Sequence, residues 1–320
     1  MEPLRSDSED AHSIRVEAPA KINFGLKVVG VREDGYHRLE SVFVPLDWFD
    51  DLSVAVSPNA IPRINLTCTR AEDALERAHL DTPEGPSNLA HQAASRFLKK
   101  AGRSASVDIQ LTKRLPAAAG LGGGSSDAGA VLRALARIWP QDLSRPELED
   151  LALSLGADVP FFLDPTPSLV AGIGEEIQAL SAFPRLFMLL ANPGKPLATV
   201  DVFRAWDDWV PSLTPATPGS TLPALSRFLE TGLEQLGLNQ PVLNELLVND
   251  LEEAARSLCP ELGGLMASMA NCGAQSVSMS GSGATIFGVF DSFEQAQSAQ
   301  KKLALGDSGW SRLAASHPGR

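Results

Sequence analysis

Cysteine is scarce in this chain: only Cys68, Cys259 and Cys272 are present. They show no C-x-x-C spacing, and an odd number cannot all pair within one chain. Reduced thiols in a cytoplasmic protein are the simple reading. The five histidines, His12, His37, His79, His91 and His317, are scattered without metal-ligand spacing. Tyrosine occurs once, as Tyr36. No stretch is apolar for long enough to span a bilayer. Positive charge is short as well, with 27 Lys plus Arg against 39 Asp plus Glu and a formal net charge of -12. A net acidic surface repels nucleic acid and anionic lipid, so neither nucleic acid nor a membrane is expected as a general partner. An anionic substrate would need a locally basic pocket.

What the chain has is enough apolar material for a sizeable core, 44% hydrophobic against 21% charged over 320 residues. Residues 1–12 are acidic and polar and read as a disordered leader without the features of a signal peptide. Strand patterns follow at 13–18, 22–30, 39–46, 52–56 and 64–68, with a turn signal at Asp34-Gly35. Ser87 reads as the cap of a helix carrying Leu89, Ala93, Ala94, Phe97 and Leu98. A strand at 107–111, a glycine-rich loop and a helix over 128–139 come next. Ser144 and Glu147 fit a capping box that opens a helix ending at Gly156. A buried strand is expected at 186–191, a Pro/Ser/Thr-rich linker at 211–223, and helices at 225–236 and 243–258. Residues 276–290 read as strand, turn and strand, and 293–303 as a last helix. The order predicts an α+β protein of two lobes, split near 163–191.

Pro116-Ala117-Ala118-Ala119-Gly120-Leu121-Gly122-Gly123-Gly124-Ser125-Ser126 is the most informative segment. Glycines let the backbone approach a ligand closely, and the free N–H groups of the helix that follows make an anion site. Ser125 and Ser126 can ligate a phosphate or Mg²⁺. The segment is not a Walker A loop, since no Gly-Lys-Ser/Thr follows, and it does not fit G-x-G-x-x-G either. A flexible Gly/Ser turn is the plainer alternative.

Four other segments carry candidate chemistry. Lys21 and Asn23 lie two apart in a strand pattern and share a face, which is either a ligand surface or a solvated one. Tyr36 and His37 at the Asp34-Gly35 turn offer a ring to stack on a base and an imidazole for its edge, or simply pack the hairpin end. Asp158, between Gly156 and the apolar Val159-Pro160-Phe161-Phe162, is a general-base candidate or a turn aspartate. Met279-Ser280-Gly281-Ser282-Gly283-Ala284 is a tight hairpin or a second small-residue loop that closes on the phosphate site.

These pieces occur together and in order, and on them the chain resembles the GHMP kinase superfamily (galactokinase, homoserine, mevalonate and phosphomevalonate kinases). Pro19 to Asn23, Pro116 to Ser126 and Met279 to Ala284 look like its three ordered motifs. Asp34-Gly35-Tyr36-His37 and Gly156-Ala157-Asp158-Val159-Pro160 are similar to elements of its diphosphocytidyl-methylerythritol kinase family. The match runs from about 16 to 290. Ala117 to Ala119 stand where relatives often carry glycine, and Asp127 where many have asparagine.

The resemblance implies a two-lobed GHMP kinase fold, with a strand-rich N-terminal nucleotide-binding lobe at 13–170, a C-terminal α/β lobe at 171–305 and a polar tail at 306–320. It implies ATP and Mg²⁺ as cofactors and a cytidylated methylerythritol as the acceptor. The ATP phosphates would sit at Gly120 to Ser126, Asp158 would be the base, and Lys21 would stabilise charge and orient Asp158. Asn23 would touch the methylerythritol chain, Tyr36 and His37 would receive the cytosine opposite Phe203, and Gly281, Ser282 and Gly283 would join the acceptor site. Asn88 and Lys113 would lie near the adenosine, and Lys27 or Arg32 near the acceptor's diphosphate. A sister kinase for another small alcohol, and an inactive metabolite-sensing relative, are the alternatives; the second is disfavoured because Lys21 and Asp158 are both present.

Overall fold

The computed structural model describes residues 12–76, 82–180, 183–209 and 240–317. The expected leader, all but its last residue, lies outside them, as do the linker at 211–223, the helix at 225–236 and His79.

β1 (His12–Val31) and β2 (His37–Pro58) form a long antiparallel pair. The strands expected at 13–18 and 22–30 are thus one strand, as are those at 39–46 and 52–56. Register shifts between Pro19 and Lys21, Asn23 and Leu26, and Val28 and Gly30 bend β1 without ending it, which is why the sequence pattern breaks where the strand does not. β3 (Arg63–Arg70) runs parallel to β4 (Ala105–Lys113), and β5 (Ser168–Gly172) pairs with β6 (Glu176–Ala179). The first sheet is ordered β3-β4-β2-β5-β6, with β1 also on β2. A second sheet is ordered β10-β7-β9-β8, from β7 (Phe187–Asn192), β8 (Ser276–Met279), β9 (Ile286–Phe290) and β10 (Trp310–Ala315).

α1 (Leu89–Ala101), α2 (Gly123–Ile138) and α3 (Arg145–Leu155) cover the first sheet, and their core includes Phe97, Val107, Ile109, Val131 and Leu135. Burying each such large side chain contributes about 1.5–3 kcal/mol. α4 (Thr199–Trp209), α5 (Gln240–Leu246), α6 (Glu252–Leu258), α7 (Glu261–Asn271) and α8 (Phe293–Lys302) belong to the second half. α4, α6, α7 and α8 share a core around Leu189, Met269, Ile286 and Phe290. A third cluster joins the halves: Ile22, Phe24, Val44 and Leu46 of the first sheet pack with Met188, Leu190, Phe287 and Val289 of the second. That shared core holds the motif on β1 against the glycine turn between β8 and β9.

Several expectations need correction. Asn88, not Ser87, caps α1, its Oδ1 accepting the Ala90 N–H at 2.8 Å. α2 starts at Gly123, inside the glycine run, because the helix needs no side-chain cap where its first N–H groups are left for a ligand. The helix expected over 243–258 is broken into α5 and α6, since the chain between them turns Asn249 inward to hydrogen-bond the β8–β9 turn. A boundary at 170 cuts β5; the sheet changes between Ala179 and Phe187. Residues 306–320 are not only a tail, for β10 pairs with β7 over Trp310–Ala315. β5, β6 and α7 were not expected. The Ser144–Glu147 capping box and the stop at Gly156 are present.

Candidate active site

The phosphate loop enters from β4 and leaves into α2. Gly122 is the N-cap of α2 at φ 71, with no side-chain cap bond and no acidic residue in the first turn, so the leading N–H groups and the positive end of the helix dipole are free for an anion. A Cβ on Gly122 would lie 2.9 Å from the Phe162 ring and 3.2 Å from Lys21 Cε. A Cβ on Gly120, at φ 74, would lie 2.4 Å from the Ser280 carbonyl oxygen. These two glycines let the loop press against the β8–β9 turn and against Lys21 at once. Ala118 takes φ 50, a left-handed conformation that glycine adopts more readily than alanine.

Pro116, Ala118 to Gly120, and Gly122 to Ser125 line a cleft with a cavity volume of about 380 Å³. Ala117 lines a separate small pocket, Leu121 is in the core, and Ser126 is buried with its Oγ unpartnered. The other wall belongs to β1 and β2. Lys21 Nζ donates to Asn23 Oδ1 at 2.6 Å, lies 3.3 Å from Asp158 Oδ2 and sits 4.3 Å from the centroid of the Phe43 ring. The Lys21 N–H donates to the Leu121 carbonyl at 3.0 Å, so strand and phosphate loop share a backbone bond. Asn23 is held through its amide, which donates to Ser41 Oγ at 3.0 Å. Asp158 precedes a 3-10 turn at Pro160–Leu163 whose Phe161 and Phe162 are fully buried. The apolar turn anchors the carboxylate while leaving its face open to the cleft.

The β8–β9 turn closes the third side. Gly281 and Ser282 line the cleft; Gly283 does not, and a Cβ there would meet Met279 Sδ at 2.6 Å. Ser280 Oγ donates to the Gly120 carbonyl at 2.8 Å and accepts from the Asn23 N–H at 3.2 Å. Asn249 Nδ2 bonds the carbonyls of Met279 and Gly281 at 2.8 and 2.9 Å. Ser282 Oγ meets Thr199 Oγ1 at 2.9 Å. Sequence reasoning missed Ser41, Thr199 and Asn249, and no local signal marks them.

Other expected site residues are placed differently. Phe203 lines the cleft, but its ring stacks on His37 at 4.6 Å, and Tyr36 is 62% exposed at the hairpin tip. Asn88 spends its amide on the cap and on the Pro83 carbonyl, and does not line the cleft. Lys113 is buried beneath α2, paired with Asp50 and, at 2.8 Å, with Asp127. Burial pulls its pKa down, but the two carboxylates outweigh that and hold it above the ordinary value. Burial pushes the Asp127 carboxyl up to about 7, against the pull of Lys113 and helped by Asp50. Asp50 also accepts the N–H groups of Arg114 and, at 2.8 Å, Leu115. This buried triad ties the entry of the phosphate loop to its exit. Lys27 pairs with Asp250 at 4.0 Å, and Arg32 with Asp34 at 3.0 Å, both away from the cleft lining. Among the described residues no group of His, Cys, Asp or Glu is arranged to hold a metal ion, and no helix is long and apolar enough to cross a membrane.

A glycine-built anion site facing a lysine–aspartate pair, set between two fused α+β lobes, is the arrangement of a small-molecule kinase. Residues 88–164 match the GHMP kinases N terminal domain, and residues 221–306 the GHMP kinases C terminal domain. A 4-diphosphocytidyl-2-C-methyl-D-erythritol kinase of Deinococcus radiodurans is 40% identical over 294 residues, 92% of this chain and 89% of that protein. A crystal structure of a 4-(cytidine 5'-diphospho)-2C-methyl-D-erythritol kinase is 34% identical, with a TM-score of 0.72, covering 95% of this chain and 100% of that one. Homoserine kinase from Cytophaga hutchinsonii, at 18% identity and a TM-score of 0.68 over 99% and 98% of the two chains, shares the fold. The chain belongs to the 4-diphosphocytidyl-2-C-methyl-D-erythritol kinase family and is an ATP-dependent kinase.

Proposed function

We propose that the chain transfers the γ-phosphoryl group of ATP to the 2-hydroxyl of 4-diphosphocytidyl-2-C-methyl-D-erythritol, a step of non-mevalonate isoprenoid precursor synthesis. The observation that carries the reading is the 3.3 Å pair of Lys21 Nζ and Asp158 Oδ2, inside a cleft whose opposite wall is the free N-terminus of α2. Phosphoryl transfer asks for positioning and charge stabilisation more than for covalent chemistry. Asp158 takes the proton of the acceptor hydroxyl as its oxygen attacks phosphorus and the bond to the ADP oxygen breaks. Lys21 faces the charge on the transferring group and fixes the Asp158 carboxylate, while the loop N–H groups cradle the phosphates. Asn23 meets the methylerythritol chain.

Magnesium fits this site as an ion carried on the nucleotide's phosphates, which is its usual mode, because Ser125 and the buried, unpartnered Oγ of Ser126 stand at the helix start without a carboxylate cage. When bound it supplies neutralisation of phosphate charge.

The length of the acceptor wall supports a cytidylated substrate. Phe43, beside Lys21, and His37 are separated by about 20 Å of extended strand at about 3.3 Å per residue. Mevalonate and homoserine do not span that distance, whereas an alcohol joined through a diphosphate to a nucleoside does. Tyr36, His37 and Phe203 then receive the cytosine. The test is ADP release with ATP, Mg²⁺ and each of the cytidylated alcohol, mevalonate and homoserine. Turnover confined to the first is expected, and turnover of either small alcohol at a comparable kcat/KM overturns the reading.

A further inference from the structure

Side chains two apart on a strand share a face. Leu39, Ser41 and Phe43 of β2 line the cleft, so His37 ends the same row. Its ring is held from several sides by one helix. Phe203 of α4 stacks on it with centroids 4.6 Å apart and planes 22° apart. Trp206 meets it edge-on at 5.5 Å. Asp207 Oδ1 lies 2.7 Å from its Nε2. Only 12% of the imidazole side chain is accessible. Its Nδ1 has no hydrogen-bond partner among the described residues. Two ring contacts fix the plane of the imidazole, and Asp207 fixes its rotation within that plane.

A carboxylate only accepts, so the nitrogen facing Asp207 must carry the hydrogen, and the Nδ1 of the neutral ring is left with a lone pair. We propose that Asp207 is a positioning residue that sets the tautomer and orientation of His37, so that Nδ1 accepts a hydrogen bond from the exocyclic amine of the acceptor's pyrimidine. The inference rests on the acceptor assigned above. It makes the site selective between bases: cytosine presents an amine donor at the position where uracil presents a carbonyl oxygen, and a lone pair facing that oxygen opposes two acceptors. Sites built to hydrogen-bond a donor reject the analogue lacking it far better than apolar pockets reject a size change. Without Asp207 the ring is free to turn over, and either nitrogen can face the base.

The experiment compares cytidylated and uridylated acceptors on wild type, Asp207→Ala and Asp207→Asn. Wild type is expected to prefer the cytidylated alcohol. Asp207→Ala raises its KM by roughly 3- to 10-fold, the size of one hydrogen bond, and narrows the preference by a similar factor. The same variant leaves kcat and the KM for ATP within about twofold, which a fold defect would not. Asp207→Asn, whose amide oxygen still accepts from Nε2, keeps most of the preference. An unchanged preference in Asp207→Ala, or a wild type indifferent to the base, overturns the inference while leaving the kinase reading intact. A wild type inert to the cytidylated alcohol removes the functional reading and this inference with it. A ligand-free check uses ¹⁵N NMR of the histidine rings at pH 8, with His37 assigned by its loss in His37→Gln. Protonated Nε2 and bare Nδ1 are expected, and the reverse tautomer overturns the proposal.

Discussion

Lys21 and Asp158 pair at 3.3 Å within the cleft, the lysine side chain 5% exposed and the carboxylate 32%. The asymmetry suits their tasks. The ammonium is fixed by Asn23 and by the Phe43 ring, so it offers charge without having to reorganise. The carboxylate keeps an open face for an incoming hydroxyl. Asp158→Asn should lower kcat by about 10²–10⁴-fold, the usual worth of a general base, with the KM for ATP little changed. Steady-state kinetics on the purified variant check this, and turnover near wild type would rule Asp158 out as the base. Lys21→Met should also lower kcat. The double variant should lose much less than the product of the two single losses, because groups acting as a unit are not additive.

The glycine run is not uniform, and the difference is measurable. A methyl on Gly122 meets Phe162 and Lys21 at 2.9 and 3.2 Å and must take φ 71, whereas a methyl on Gly124, within α2, meets only Leu89 Cδ1 at 3.8 Å. Gly122→Ala should lower the thermal midpoint and raise the KM for ATP at least several-fold. Gly124→Ala should leave the midpoint unchanged or raise it, since alanine in a helix is favoured over glycine by about 0.5–1 kcal/mol. Equal midpoints for the two variants would mean that the loop does not need its left-handed turn.

How far the sequence could be read depended on whether a residue's job is local. Lys21, Asn23, Gly120, Gly122 to Ser125, Asp158, Gly281 and Ser282 meet in one cleft, and each belongs to a short motif whose spacing carries its meaning. Asp50 does not: its carboxylate serves Lys113, 63 positions away, and nothing nearby announces it. Asn249 and Asp207 act across 30 and 170 positions through single side chains. Lys113 is the instructive case, for the family resemblance implies a place near the adenosine while its ammonium is consumed by two buried carboxylates. β10 was hidden in a polar stretch because its pairing with β7 depends on a neighbour more than a hundred positions earlier.

The buried triad has a pH signature. The Asp127 carboxyl is pushed up to about 7 from an ordinary value of 3.8, mainly by burial. Between those two pH values the folded chain binds more proton than the unfolded chain, so this group's contribution to stability is full below about pH 4 and is lost as the pH rises towards 7. Asp127→Asn removes the titrating group while keeping its shape and one acceptor oxygen for Lys113. Its stability relative to wild type, from urea midpoints, should therefore be higher at pH 8 than at pH 5. A difference that is flat with pH would show that Asp127 does not titrate between those two pH values in the folded protein.

The acceptor end gives the sharpest test of substrate class. Phe203 lines the cleft with its ring against His37, while Tyr36, the only tyrosine, is 62% exposed at the tip of the β1–β2 hairpin. If the cytosine is gripped between hairpin and α4, Tyr36 must close over it, gaining a ring contact absent from the free protein's described residues. Stacking of a base on an aromatic ring is worth about 1–3 kcal/mol. Tyr36→Ala should thus raise the KM for the cytidylated acceptor by roughly 5- to 150-fold with little effect on the KM for ATP, and Phe203→Ala should do the same. Tyr36→Phe should keep most activity, since the ring face does the stacking. Because the Tyr36 side chain stands in water in the free protein, its removal should leave the thermal midpoint unmoved, so a KM effect there reports on ligand and not on folding. A small alcohol without a base would feel none of these changes. Acceptor and ATP kinetics on the four proteins decide it: an acceptor KM that is the same in wild type, Tyr36→Ala and Phe203→Ala would remove the base from the site and leave only the phosphoryl-transfer end of the cleft assigned.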